Sequence, residues 1–485
     1  MRCLPVYDGR RYKQLLADIR NDCVAANAPV LTAMTTPEQT EETPSPLDPF
    51  RQFLSFRRDV LVLSVAMFAF SLGFQMTSRY IPRYMSVLGA GGLAIGVFGT
   101  VGNIISAAYP YPGGAISDRI GSRYALTLFG LLSSLGFLFW LVAPALGTIA
   151  VAGSTIEPWF WIFVGLFLAQ AWKSFGLGAT FAIVKQAVPP SRLARGFAST
   201  EVFRRTAFLL GPLLAAGVLF VVADFQVGLQ VILAVAMVFG IVATLTQHYL
   251  YEPEDTTIGK EFDGVGEIAQ DLRGLPEELR PLLVADTLVR FANGMVYVFF
   301  IIVVTEFLAV SLDLGAVTLD PDVFFGVLLA IEMVVALISM PVAAKLAERV
   351  GLKPVVAFGF LVYAVFPILL ISVPEGVPGT AGLVIVLFAF SGLRFAGLPA
   401  HKALIVGPAE QKAGGRVSGS YYLVRNAIVI PSAAIGGALY DGFTVPATAI
   451  SVSPQPTLAF AIATGIGSVG VVYFVLYGTE FEAYQ

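Results

Sequence analysis

Long apolar runs alternate with short polar loops along most of the chain. The runs lie near 60–81, 93–113, 125–143, 158–184, 197–222, 229–247, 282–304, 323–343, 355–373, 380–400, 417–439 and 458–477. Each approaches or exceeds the roughly 20 residues needed to cross a hydrocarbon core about 30 Å thick. In lipid a backbone must satisfy its own polar groups, so runs of this length predict helices. Ten-residue stretches of alternating polarity, the mark of a membrane barrel, do not occur. The pattern therefore predicts an all-α membrane protein with twelve transmembrane helices.

Composition agrees. Of 485 residues, 56% are hydrophobic and 13% charged, and the mean hydropathy is +0.79. Soluble domains carry about 25% charged residues, too many to be compatible with this chain. A net charge of −3 argues against nucleic acid as a partner, because phosphate binding needs a basic face. Cys3 and Cys23 both lie in the polar leader, and His248 and His401 are the only histidines, so neither a metal site nor a cofactor is expected.

Loop charges predict orientation. The loops after the even-numbered spans hold Arg119, Arg123, Lys185, Arg192, Arg195, Lys260, Arg273, Arg280, Lys345, Arg349, Lys353, Lys402, Lys412 and Arg416, while those after spans 3, 5, 7, 9 and 11 hold no lysine or arginine. Arg79 and Arg83 are the exceptions, at the end of span 1 and in the loop after it. Positive loops stay inside, which puts both termini in the cytoplasm and the protein in the cell membrane. Residues 1–58 contain no apolar stretch long enough for a secretory signal. Their Pro-, Thr- and Glu-rich part, 35–49, reads as a disordered leader.

One long polar stretch, 251–281, divides the remainder. It carries nine acids against three bases and separates a six-helix bundle over 59–250 from a second over 282–479, with a short tail at 480–485. The two bundles read as parallel repeats. KSFGLGA at 173–179 matches RFAGLPA at 394–400, and the same offset pairs Arg204 with Arg425 and Gly73 with Gly294. A slightly larger offset pairs Gly96 with Gly326 and Asp118 with Glu348.

Between spans 2 and 3 the chain reads Gly114-Ala-Ile-Ser-Asp118-Arg119-Ile-Gly121-Ser-Arg123. Between spans 8 and 9 it reads Ala344-Lys-Leu-Ala-Glu348-Arg349-Val-Gly351-Leu-Lys353. This resembles the signature loop of the major facilitator superfamily, G-x-x-x-D-R/K-x-G-x-R/K, and its recurrence in both halves makes the resemblance specific. The resemblance implies a transporter in which spans 1, 4, 7 and 10 line a central cavity and 3, 6, 9 and 12 support it. It also implies that Asp118 helps close an inner gate near span 11. Topology signalling accounts for the arginines but not for Asp118 or the glycines. Ala207-x-x-x-Gly211-Pro212-x-x-Ala215-Ala216 in span 5 resembles a degraded antiporter motif, pointing weakly to export, although small residues also serve helix packing.

Charges within spans are costly and commonly mark pathways. They are Lys173, Glu201, Arg204, Arg205, Asp286, Arg290, Glu332, Arg394 and Arg425, and spans 3, 6, 9 and 12 have none. Asp286 and Arg290, spaced i, i+4, can neutralise each other on one helix face, as can Glu201 and Arg205. Lys173, Arg204, Arg394 and Arg425 then stand against Glu332, leaving an interior suited to an organic anion or to carbonyl-bonded bases. Glu332, alone in span 8 near mid-membrane, is the expected proton-coupling group; a structural bridge to Arg290 or Arg394 is the other reading. Gln75, Thr77, Ser78 and Asn103 offer uncharged contacts.

The expected function is secondary active transport of a small organic solute by alternating access, coupled to protons or another ion, by a monomer. A uniporter or exchanger, or a non-transporting sensor of the same fold, is the alternative. No nucleotide-binding loop occurs, and the spans hold neither a nucleophile with a paired histidine nor a carboxylate cluster, so an enzyme is not expected.

Overall fold

The computed structural model describes residues 58–109, 116, 119–120, 122–151, 154–172, 193–222, 224–250, 276–407, 414–444 and 451–480; within these, the side chains of 58–67, 122, 151, 154, 193–204, 414–416, 443–444 and 451–452 are not described. The described chain is mostly helical. In the first half the helices are α1 (Arg58–Thr77), α2 (Ile81–Val87), α3 (Gly92–Ala108), α4 (Ser122–Leu146), α5 (Phe160–Ala169), α6 (Leu193–Val221) and α7 (Phe225–Leu250). The second half has α8 (Arg280–Val296), α9 (Phe300–Ile302), α10 (Pro321–Val350), α11 (Leu352–Ile371), α12 (Thr380–Gly392), α13 (Leu398–Val406), α14 (Gly414–Val429), α15 (Ser432–Asp441) and α16 (Pro456–Tyr477). Three antiparallel two-stranded ribbons, β1–β2 (Ile149–Val151, Ser154–Ile156), β3–β4 (Leu312–Asp313, Thr318–Leu319) and β5–β6 (Phe443–Thr444, Ser451–Val452), follow α4, the segment ending at Phe307, and α15. We call that end of the bundle the ribbon end.

Among the described residues, eight helical stretches are long and apolar enough to cross a membrane: Arg123–Leu146, Phe225–Leu250, Glu277–Phe307, Pro321–Val350, Leu352–Ile371, Thr380–Val406, Val417–Asp441 and Pro456–Tyr477. Three shorter apolar helices, Gly92–Ala108, Phe160–Ala169 and Arg205–Val221, fall within other expected spans. The fourth expected span can be followed only to Trp172, because 173–184 lie outside the described residues. The long helix α10 shows what these elements face. Val334, Ile338, Val342, Leu346 and Val350 recur every four residues and are all exposed, while Leu328, Glu332, Met333, Ala336 and Met340 are buried. An apolar stripe left bare on a helix that long is the surface a lipid bilayer covers.

Glycines set two close crossings between the halves. A Cβ on Gly96 of α3 would collide with the Ala433 carbonyl and would lie 2.9 Å from the Gly437 Cα, both on α15. On Gly326 of α10 it would lie 2.8 Å from the Ala216 Cβ and from the Pro212 carbonyl oxygen, both on α6. These two glycines are the pair that the expected repeat aligns, and each lets a helix of one half approach a helix of the other. At the ribbon end Arg83, between α1 and α3, forms ion pairs with Glu306 and with Asp322, the latter at 3.4 Å. Ser86 donates to Glu306 at 2.7 Å.

Several expected spans are interrupted rather than continuous. α1 stops at Thr77, and a turn at 78–80 precedes α2. α8 passes into a 3-10 turn at Tyr297–Phe299, then α9 and a π-turn at Val303–Phe307. α12 gives way to a 3-10 turn at Leu393–Phe395 before Pro399 opens α13, and Pro431 separates α14 from α15. A proline lacks the N–H that would continue a helix ladder, which accounts for the break at Pro431.

Candidate functional site

Three of those interruptions meet. The turn at 78–80 supplies Ser78 and Arg79, the 3-10 turn after α8 supplies Tyr297, and the 3-10 turn after α12 supplies Arg394. Together they line a cavity of about 70 Å³. Irregular backbone inside a membrane is tolerated where it is buried in protein or faces a cavity. Phe98, Phe300, Phe325 and Phe388 form apolar walls, and Glu332 of α10 completes the polar part. Both halves of the chain contribute.

Glu332 is 1% exposed and is not alone. Its Oε1 accepts from Nη2 of Arg394 at 2.6 Å and from the Ser391 hydroxyl at 2.6 Å. The Arg394 guanidinium is itself buried, packed against the rings of Phe395 at 4.8 Å and Tyr363 at 5.1 Å. Among the described residues its Nε and Nη1 have no hydrogen-bond partner. Arg79 lays its guanidinium over the Tyr297 ring at 4.4 Å and forms no hydrogen bond or ion pair with any described residue. Gln75, buried on α1, lines an adjoining recess with Arg79, Glu332 and Pro212.

A second cluster lies on the C-terminal half. Asp286 is fully buried. Its Oδ1 accepts from Arg290 at 3.3 Å, one helical turn away. Its Oδ2 faces Arg425 at 3.1 Å, the Tyr421 hydroxyl at 3.2 Å and Nε2 of His401 at 3.3 Å. Buried carboxylates persist when paired and hydrogen-bonded in this way. Tyr363 joins the clusters: Arg290 donates to its hydroxyl at 3.1 Å, and Arg394 packs on its ring. The i, i+4 pairing of Asp286 with Arg290 is thus formed, but Arg425 shares the same carboxylate instead of standing unpaired. Arg205 lies between the rings of Phe395 and Phe208, at 4.2 and 4.6 Å.

Other expected residues are placed differently or not at all. Gly114, Asp118, Gly121 and Lys173 lie outside the described residues, as do the side chains of Glu201 and Arg204. Arg119 is exposed and Arg123 half-buried. In the second signature loop Gly351 has φ +91° and ψ 164° and joins α10 to α11 in a single residue. That backbone region is essentially confined to glycine. Glu348 and Arg349 end α10, and the Lys353 N–H donates to Glu480 at 2.8 Å. The tail thus supplies a carboxylate to an N-terminal turn whose amide groups lack helical partners. Sequence reasoning missed Tyr297, Tyr363, His401, Tyr421 and Ser391 as site residues, and it noted Arg79 only among the charges near span 1. The usable signal was Gly392, Gly397 and Pro399 around Arg394, which mark a broken helix.

Residues 24–156 match the family described as Major Facilitator Superfamily. An uncharacterised MFS-type transporter of Methanocaldococcus jannaschii is 22% identical over 419 residues, 86% of this chain and 95% of that protein. The fold is shared with a point mutant of the nucleoside transporter NupG, at TM-score 0.65 and 12% identity over 86% of this chain and 99% of that one. It is also shared with the human organic anion transporter MFSD10, at TM-score 0.59 and 14% identity over the same shares. Family match, near full-length relative and common fold agree: the chain is similar to transporters of the major facilitator superfamily, and its apolar helices make it a multi-pass membrane protein.

Proposed function

We propose that the protein is a secondary active transporter that carries a small organic solute by alternating access and is coupled to protons at Glu332. The observation that carries this reading is the meeting of interrupted helices from both halves around one cavity holding the Glu332–Arg394 pair. When a solute engages Arg394, Glu332 loses its guanidinium partner. A carboxylate deprived of that partner among phenylalanines takes a proton. Solute and proton then occupy the cavity together, and the halves rock about it to face the other side. On this reading twelve helices cross the membrane as two six-helix repeats. The ribbon end faces outward, both termini are cytoplasmic, and a single chain suffices as the working unit. NupG and MFSD10, named for nucleosides and organic anions, support a small organic solute as cargo.

The same pair supports a second reading. If Glu332 and Arg394 stay bonded throughout the cycle, they are a structural bridge, and the protein is a uniporter or exchanger. Reconstitution of the full chain in proteoliposomes, with radiolabelled organic acids, alcohols and amines as cargo, distinguishes the two. A coupled carrier concentrates its solute under an imposed pH gradient and ceases to do so when an ionophore collapses it. Equilibration at the same rate with and without the gradient favours the uncoupled reading.

A further inference from the structure

We infer that the cavity selects a compact organic anion, a monocarboxylate with an apolar body, bound by Arg79 and Arg394 together. The inference rests on the transport reading above and names the cargo of the same site. Its first support is charge. The cavity wall holds two guanidiniums and one carboxylate, so it carries one formal positive charge that nothing in the wall balances. The second support is hydrogen bonding. Arg394 is 4% exposed, yet among the described residues it uses only Nη2 on Glu332 and leaves Nε and Nη1 without acceptors. Arg79 is held by its contact with Tyr297 and forms no hydrogen bond or ion pair with a described residue, although Glu332 shares the cavity with it. Buried donors of this kind call for an acceptor, and a planar guanidinium presents its hydrogens in a fork that a carboxylate matches.

The apolar part follows from the remaining walls. Phe98, Phe300, Phe325, Phe388 and Leu329 surround the polar groups, so the cargo must carry an uncharged, water-poor body beside its anionic head. Size sets the last restriction. The cavity, at about 70 Å³, is well below the roughly 300–1,000 Å³ typical of pockets for drug-sized ligands. A cation is disfavoured, since it would meet two guanidiniums among mostly apolar walls.

The test uses the full chain in lipid nanodiscs and proteoliposomes with three ligands of nearly equal shape: benzoate, benzyl alcohol and benzylamine. Benzoate is expected to bind at least tenfold more tightly than either of the others. Arg79→Gln is expected to weaken benzoate at least tenfold while leaving the weak binding of benzyl alcohol unchanged, and Arg79→Lys is expected to recover part of the loss. That differential separates anion recognition from a merely structural role for Arg79. Tighter binding of benzyl alcohol or benzylamine, or benzoate affinity unchanged in Arg79→Gln, overturns the anion assignment. If neutral or cationic solutes are nevertheless taken up, the transport reading survives that failure. Absence of binding and uptake for all three, in protein shown folded by its thermal melt, overturns both.

Discussion

Four side chains from three helices converge on Asp286, and two of them are guanidiniums. Removing that charge leaves Arg290 and Arg425 facing one another in a buried place. Breaking a buried ion pair by deleting one partner costs about 3–5 kcal/mol, so Asp286→Asn should lower the thermal melting temperature of the purified protein markedly. Asp286→Asn combined with Arg425→Gln should restore part of the loss; a melt unchanged by the single substitution would show that the cluster contributes little. Residue spacing revealed only half of this arrangement. Asp286 and Arg290 lie one turn apart on a single helix, so their pairing is legible in sequence. Arg425, His401 and Tyr421 reach the same carboxylate from elements far away in the chain. Glu332 illustrates the same limit, being the only charge in its span while its partners, Ser391 and Arg394, come from the span-10 segment.

Interrupted helices are the elements that build the cavity. The turn at 78–80 and the 3-10 turns at Tyr297–Phe299 and Leu393–Phe395 each place a polar or aromatic group where a continuous helix would direct it elsewhere. Hydrophobic periodicity does not register such breaks, because an apolar run stays apolar whether its helix is regular or not. Only the Gly392–Pro399 segment carried a warning. The expected repeat pairs Gly96 with Gly326, but the helices that each of them meets are legible only in the structure.

Those crossings hold the halves together near the ribbon end, where Arg83 adds a latch to Glu306 and Asp322. Partly exposed ion pairs of this kind are each worth at most about 1 kcal/mol. Arg83→Ala removes both and should therefore shift the population open at the ribbon end several-fold, up to about thirtyfold. The readout is labelling of Ser78→Cys by an impermeant maleimide from that side, in a background with Cys3 and Cys23 replaced by serine. Unchanged labelling would mean that the helix crossings alone keep this end closed.

At the scale of the whole molecule the sequence was most informative, for a physical reason. A bilayer imposes one requirement everywhere, an apolar surface about 30 Å tall with no exposed backbone polar groups, and that requirement is written into every span. Sequence therefore disclosed a helical membrane protein and, through the signature loop, the superfamily that it resembles. The cavity depends on contacts between residues hundreds of positions apart, and no local pattern encodes them.

On the proposed cycle Glu332 and Arg394 form a pair that solute binding opens and a proton then quenches. The most direct measurement is of protons exchanged when benzoate is added to purified, weakly buffered protein, comparing the parent with Glu332→Gln. The parent should take up protons, approaching one per ligand bound, and the variant none at matched occupancy. Equal uptake by both would place coupling elsewhere, and saturable binding without uptake by the parent would leave Glu332 and Arg394 as a fixed bridge and contradict the account.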